Sequence, residues 1–251
     1  FRRRPRPQPP PRSQAWAWVK ALRSRWRLWP WPAAEQSIMW RSAILRKEDA
    51  RAGGEDLIVL GSHVFDMAMY LLEARPGWCF ADVGWQGRRA TLADVREATE
   101  SLGPIVGDCV HTMYGFPNGV VMQFDSVKNP DGAQGRYGLD VYGSRGIVAI
   151  RFDNGPRVAW LDDATWAPKD DRRWQPLPDA PAFTIKDPVR EYNPRLVDDL
   201  IAAIEEDRDP KVSLEDGRAV QEMIQAVFES HVQGGRVAMP LERRLHPLRR
   251  A

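Results

Sequence analysis

Residues 53–72 read GGEDLIVLGSHVFDMAMYLL, and the reading of this stretch decides the fold. Two glycines without a Cβ favour a bend at its start. Glu55 and Asp56 follow where the positive end of a helix favours carboxylates. Leu57, Leu60, Val64, Met67, Ala68 and Leu71 then recur at helical spacing and make one apolar stripe. The pattern predicts a single buried helix running from the double glycine to Leu72. Gly61 interrupts it at a cost of about 1 kcal/mol against alanine, so something is expected to approach the backbone there. His63 and Asp66, three residues apart, fall on one side of that helix.

Downstream, Arg75-Pro76-Gly77 stops the helix and turns the chain. Strand patterns come next. Residues 78–89 are expected as a strand bent at Gly84, and 91–102 as a polar loop with a short helix. Segments 109–116 and 120–126 flank Pro117-Asn118-Gly119, a hairpin signal. In the second segment Val120, Met122 and Phe124 alternate with Val121, Gln123 and Asp125, the period of a half-buried strand. Segments 136–142 and 146–152 flank a second hairpin at Gly143-Ser144-Arg145, and 158–161 and 174–177 add shorter strands. No helical pattern separates them, which excludes a parallel doubly wound sheet here and predicts an antiparallel one.

Helices return towards the C-terminus. Pro194 is expected to open one, with Val197, Leu200, Ile201 and Ile204 as its apolar face. Ser213-Leu214-Glu215-Asp216 has the form of a capping box. Val220, Met223, Ile224, Val227 and Phe228 line the last helix, Gly234-Gly235 ends it, and 237–240 form a final edge strand. Upstream of the double glycine, 37–47 alternates loosely and is expected as the first strand. The fold class is therefore α+β: a large, mostly antiparallel sheet with helices packed on one face.

Composition sets the limits. The chain has 251 residues, 43% of them hydrophobic, which supports a real core. No apolar run approaches the ~20 residues that span a bilayer. The two cysteines, Cys79 and Cys109, are too few for a disulfide framework or a zinc site and read as small buried hydrophobes in a reducing, cytoplasmic setting. Net charge is +2, yet residues 1–51 carry a net +10 and the remainder a net −8. Residues 1–36 hold a proline- and arginine-rich segment followed by Trp16, Trp18, Trp26, Trp29 and Trp31. They read as a disordered tail or as foreign sequence, separate from an α+β domain over 37–251. An Arg/Trp arm of this kind also has the chemistry to bind nucleic acid, but the acidic remainder of the chain does not suggest it.

A double glycine followed by a helix with LGSHxxDxxxYL resembles the substrate domain of the Gfo/Idh/MocA oxidoreductases. These are NAD(P)-dependent dehydrogenases acting mostly on sugars and polyols. The likeness runs from about Ile38 to Leu248 and includes the FPNGV and YGSRG hairpins. It also takes in the ending SLEDGRAVQEMIQAVFESHVQGGRVAMPL. It implies a C-terminal domain like that of glyceraldehyde-3-phosphate dehydrogenase, NAD or NADP as cofactor in the complete enzyme, and a homo-oligomer joined through the sheet face. The dinucleotide-binding (Rossmann) domain is expected to be missing. No glycine precedes Gly53, so a G-x-G-x-x-G turn cannot lie there. The family's Glu-Lys-Pro motif is absent too. Where many relatives carry an Asp one turn before the helix histidine, this chain has Val59.

Alcohol oxidation needs a hydride acceptor and a base for the hydroxyl proton, and imidazole suits the second task near neutral pH. The resemblance makes His63 the candidate base, with Asp66 or Asp56 orienting it or binding a hydroxyl. Lys47, Arg136 and Tyr137 are candidates for sugar contacts. No residue is expected to bind a cofactor or a metal: His111, His231 and His246 share no metal spacing and are expected to be structural. Asp162-Asp163 and Asp170-Asp171 read as solvated turns. Alone, the chain is expected to bind no dinucleotide and to be inactive. The alternative is a non-catalytic module that binds a carbohydrate or a protein.

Overall fold

The computed structural model describes residues 37–39, 53–99, 101–127, 137–151, 157–166, 174–176, 188–243 and 245–249. The expected disordered tail at 1–36, Lys47, Arg136 and the turn at Asp170-Asp171 lie outside them. So does most of the expected first strand, of which β1 (Ser37–Met39) is described.

Among the described residues one ten-stranded sheet dominates. Its strands are β1, β2 (Trp78–Trp85), β3 (Arg88–Arg89), β6 (Cys109–Gly115), β7 (Val121–Val127), β8 (Gly138–Gly143), β9 (Gly146–Arg151), β10 (Arg157–Leu161), β11 (Gln175–Pro176) and β12 (Val237–Ala238). The order is β11-β10-β9-β8-β1-β7-β6-β2-β12, with β3 folded back on β2. A small separate pair joins β4 (Arg96–Glu97) to β5 (Pro104–Ile105). Every described pairing is antiparallel except β1 with β7. The earliest described strand thus enters the middle of the sheet, between two hairpins that follow it in sequence.

The hairpin signals hold where the turn chemistry is strong. Gly119 takes φ +83, and Phe116 N–H donates to Val120 O at 2.9 Å, closing the Pro117-Asn118-Gly119 loop. One strand reading is corrected. Residues 78–89 form two strands, because Gln86 and Gly87 both adopt positive φ (51 and 79) and make a two-residue hairpin turn. Gly84, expected as the bend, pairs regularly with Cys109 and Arg89.

The helix over 53–72 is two helices: α1 (Gly54–Val59) and α2 (Gly61–Leu72), broken at Leu60. The break falls where Phe124 reaches the backbone: a Cβ on Gly61 would lie 3.2 Å from Phe124 Cζ. The expected close approach at Gly61 is therefore present, and the ring making it comes from β7. Phe65 packs between that ring and Tyr114, with centroids at 4.9 and 5.3 Å. Tyr114, wholly buried, donates its hydroxyl to Met223 O at 3.0 Å and so ties β6 to α4 (Leu214–Gln233). Helices α2 and α4 cover one face of the sheet, and the core lies between.

At the N-terminus of α4 the expected capping box is complete. Ser213 Oγ accepts from Asp216 N–H at 3.2 Å, and Asp216 Oδ2 accepts from Ser213 N–H at 3.0 Å. Helix α3 (Pro188–Glu205) begins six residues before Pro194, which lies inside it. Pro188 supplies the earlier start, since a proline in the first turn lacks only an N–H that would be unpaired anyway. The stripe Val197, Leu200, Ile201 and Ile204 is there, but each side chain is about half exposed or more. Periodicity identifies an apolar face without saying what covers it. Asp163 also departs from the expected solvated turn. It is buried and accepts from Thr165 N–H (2.8 Å) and Thr165 Oγ1 (2.6 Å). No described helix is long and apolar enough to cross a membrane.

His231 is structural, as expected, and its role is definite. β12 covers only the Trp78–Cys79 end of β2. Beyond it, the N–H groups of Ala81 and Val83 donate to Ser230 Oγ (2.8 Å) and His231 Nδ1 (3.1 Å), while His231 Nε2 donates to Ala90 O (2.9 Å). The last turn of α4 thereby satisfies an edge that no described strand pairs with there. Burial holds the His231 imidazole below its ordinary pKa. A folded value below the unfolded one, about 6.5, gives a contribution fully present above that pH. It is lost as pH falls through the folded value. His231→Gln should lower the melting temperature at pH 7 and give a flatter pH dependence between 7 and 5 than the parent. Parallel curves would show that this ring does not titrate on unfolding.

Candidate functional site

The two helices of the opening stretch carry the candidate residues. Their entry is set by a backbone contact. Gly53 has φ +75, and a Cβ on it would sit 2.5 Å from the Asp108 carbonyl carbon. A Cβ on Gly54 would sit 2.5 Å from Val106 O. Gly53 N–H donates to Ser126 Oγ at 3.2 Å, and Gly54 N–H to Gly107 O at 3.3 Å. The double glycine is thus a docking surface for the 106–108 loop as well as a bend.

His63 is the third residue of α2 and its side chain is exposed, although Val64 and Phe65 beside it are buried. Asp66, one turn on, is half-buried. Burial raises its pKa first, the Asp216 charge raises it further, and His63 lowers it. Asp216 is itself held low by its capping bonds to Ser213 and by Arg75, whose Nη2 lies 3.6 Å away. The structure therefore assembles His63, Asp66, Asp216 and Arg75 where α2 meets the start of α4. Asp216 and Arg75 are missed by sequence reasoning. The capping signal explains Asp216 fully, and nothing local says that a second helix brings it to Asp66.

Asp56 goes elsewhere. It is buried on α1, and its charge adds to burial in pushing the Tyr137 phenol up to about 12. Tyr137 donates its hydroxyl to Leu60 O at 3.4 Å, at the break between the helices. With the axis broken there, the two-turn spacing from Asp56 to His63 no longer fixes both on one face. Glu55, also buried, receives hydrogen bonds from Thr99 Oγ1 and, at 3.4 Å, from Thr99 N–H.

Chemically, an exposed imidazole beside a partly desolvated carboxylate can take up a proton and hold the resulting charge next to an anion. It can also donate to and accept from hydroxyl groups. Among the described residues no three potential metal ligands converge.

The fold is thus an α+β sheet domain whose helix α2 exposes one imidazole on an otherwise core-facing rod. The chain belongs to the Gfo/Idh/MocA oxidoreductases, matching that family's C-terminal alpha/beta domain over residues 19–239. The match begins inside the stretch 1–36 that the sequence reading sets apart. Solved structures share the fold. An oxidoreductase domain protein from Kribbella flavida is 18% identical with a TM-score of 0.64, over 89% of this chain and 64% of that one. Levoglucosan dehydrogenase in complex with NADH and levoglucosan is 21% identical with a TM-score of 0.59, over 83% and 60%. Aldose-aldose oxidoreductase from Caulobacter crescentus, complexed with glycerol, is 20% identical with a TM-score of 0.59, over 90% and 61%. The chain spans less than two thirds of the length of these structures. Comparison with curated proteins gives no match.

Proposed function

We propose that this chain is the substrate side of an NAD(P)-dependent dehydrogenase acting on a sugar or polyol, with His63 as the base for the reacting hydroxyl. One observation carries the reading. On a helix otherwise given to the core, the one imidazole is exposed and has a half-buried carboxylate one turn away. Asp66 would orient the ring and offset its charge. Asp56 and Tyr137 form a second polar pair, and Lys47 and Arg136 are further candidates for hydroxyl contacts. The dinucleotide, which takes the hydride, would be held by a domain outside these 251 residues, so the chain alone would not turn over. Structures of the same fold that contain NADH and sugars support this assignment. The open face of the sheet is the proposed surface for self-association.

The test has two arms. Titrating NADH and NADPH fluorescence against the chain alone should show no binding. Fusing a relative's dinucleotide-binding domain ahead of residue 37 should restore binding and sugar-dependent reduction of NAD(P). Micromolar NADH binding by the chain alone would overturn the missing-domain reading. A folded fusion that binds NADH and sugar yet never turns over would favour the binding-module reading.

A further inference from the structure

Helix α3 leaves its apolar face largely open to solvent. Leu196, Val197, Leu200 and Ile201 are each about half exposed, and Ile204 is 74% exposed. The other side of the helix is anchored. Ala203 is buried, and Asp199, four residues earlier, accepts from Lys211 N–H at 2.7 Å and from Arg208 Nη2 at 3.1 Å. Both donors belong to the loop that follows, so α3 is held against its own link to α4 with the stripe on the side away from it. Helical stability in proteins comes mostly from packing of the apolar face, and a contiguous exposed patch of this kind marks an interaction site.

The open surface does not end with the helix. Val212 is about half exposed, and Leu214, the first residue of α4, is 88% exposed. Leu214 stands two residues before Asp216, whose charge acts on Asp66 where α4 meets α2. The apolar run therefore reaches the rim of the candidate site.

Reaction geometry says which partner belongs there, given the reading of His63 as the base, on which this step rests. Hydride transfer needs the nicotinamide carbon about 3–3.5 Å from the substrate carbon, while the imidazole reaches the hydroxyl on that same carbon. The body that holds the dinucleotide must therefore close over the start of α2 and land on the surface beside it. Solved structures of this fold run past the match by more than a third of their own length, which is room for such a body.

We propose that the stripe Leu196, Val197, Leu200, Ile201 and Ile204, extended by Val212 and Leu214, is the seat of the dinucleotide-binding domain, and that docking there sets the nicotinamide against His63. The interface is apolar at its centre, where α3 lies, and polar at the edge, where the reaction takes place.

Hydrogen–deuterium exchange of α3, in the chain alone and in the fusion that supplies the dinucleotide-binding domain, tests it. Exchange should be at least about tenfold slower in the fusion. Leu200→Gln with Ile204→Gln keeps good helix formers in place. In the fusion this pair should return α3 to the exchange rate of the chain alone and lower turnover about tenfold or more. In the chain alone it should leave the melting temperature within about 2 °C of the parent, as for solvent-facing positions. A fusion that binds NADH yet leaves α3 exchanging as fast as in the chain alone would overturn the docking, whatever its turnover. A protected α3 without turnover would instead remove His63 from the chemistry and keep the docking. A drop of several degrees in the chain alone would show that the chain itself covers the stripe. Protection that rises with the concentration of the chain alone would show that a second copy does. Either result would overturn the proposal.

Discussion

In a fusion that supplies the dinucleotide-binding domain, His63→Ala should lower kcat by about 10²–10⁴-fold, the range that a positioned general base contributes. NADH affinity should be unchanged, because the ring is assigned to the substrate and not to the cofactor. The chain should remain folded, since His63 is exposed and lies outside the hydrophobic core. Asp66→Asn gives the informative contrast. Burial raises the Asp66 pKa in the folded state. An acid with a raised folded value favours the folded state at low pH, and that contribution is lost as pH rises through the folded value. Removing the charge should therefore leave the protein as stable or more stable at neutral pH, while activity falls. Activity that survives His63→Ala within a factor of a few would remove the imidazole from the chemistry.

Gly53→Ala should cost about 4 kcal/mol or more, a magnitude reserved for a small set of structural faults. Two act here together. The residue sits at φ +75, which costs roughly 1–2 kcal/mol for a side chain with a Cβ. The new methyl would also meet the Asp108 carbonyl carbon at 2.5 Å and the Cys109 nitrogen at 2.7 Å, both backbone atoms that cannot rotate aside. Relief would require moving α1 off the 106–108 loop and losing the bond from Gly53 N–H to Ser126. The melting temperature should fall by roughly 10 °C or more. Gly217→Ala is the control: nothing lies within 4 Å of its Cβ position in the exposed first turns of α4. It should stabilise slightly, because alanine is the better helix former. Equal effects at the two positions would show that the double glycine serves only as a bend.

Much of the fold was legible because its signals are local. The Asn118-Gly119 turn, the Ser213–Asp216 box and the Gly234 stop each depend on residues a few positions apart. Alternation over 120–125 separated one set of side chains from the other, and Val120, Met122 and Phe124 are the buried set. Where a signal was ambiguous the reading failed for a physical reason. Gln86-Gly87 lacks the usual Asn or Asp, so its turn was passed over in favour of Gly84. Pro194 looked like a helix start because a proline inside a helix is costly, yet Pro188 had already opened it.

The candidate site was legible only in part. His63 and Asp66 are one turn apart on α2, so their proximity follows from helical geometry alone. The arrival of Asp216 beside Asp66, and the use of Asp56 by Tyr137, could not be read that way. Cys109, read from the sequence as a small buried hydrophobe, is only partly buried, and His111 faces it from the same strand. Neighbouring strands surround them with Asp125 and Asp82.

Residue spacing along the chain was sufficient to specify a mostly antiparallel sheet with helices on one face, and to place His63 and Asp66 on one side of the helix after the double glycine. Those features come from interactions over one turn of helix or one hairpin, whose geometry is the same in any protein. Packing settled the rest. It broke that helix at Leu60, aimed the Phe124 ring at Gly61 and brought Asp216 to Asp66. Such contacts join residues that are distant in the chain, and they form only because helices and sheet must share one buried interior.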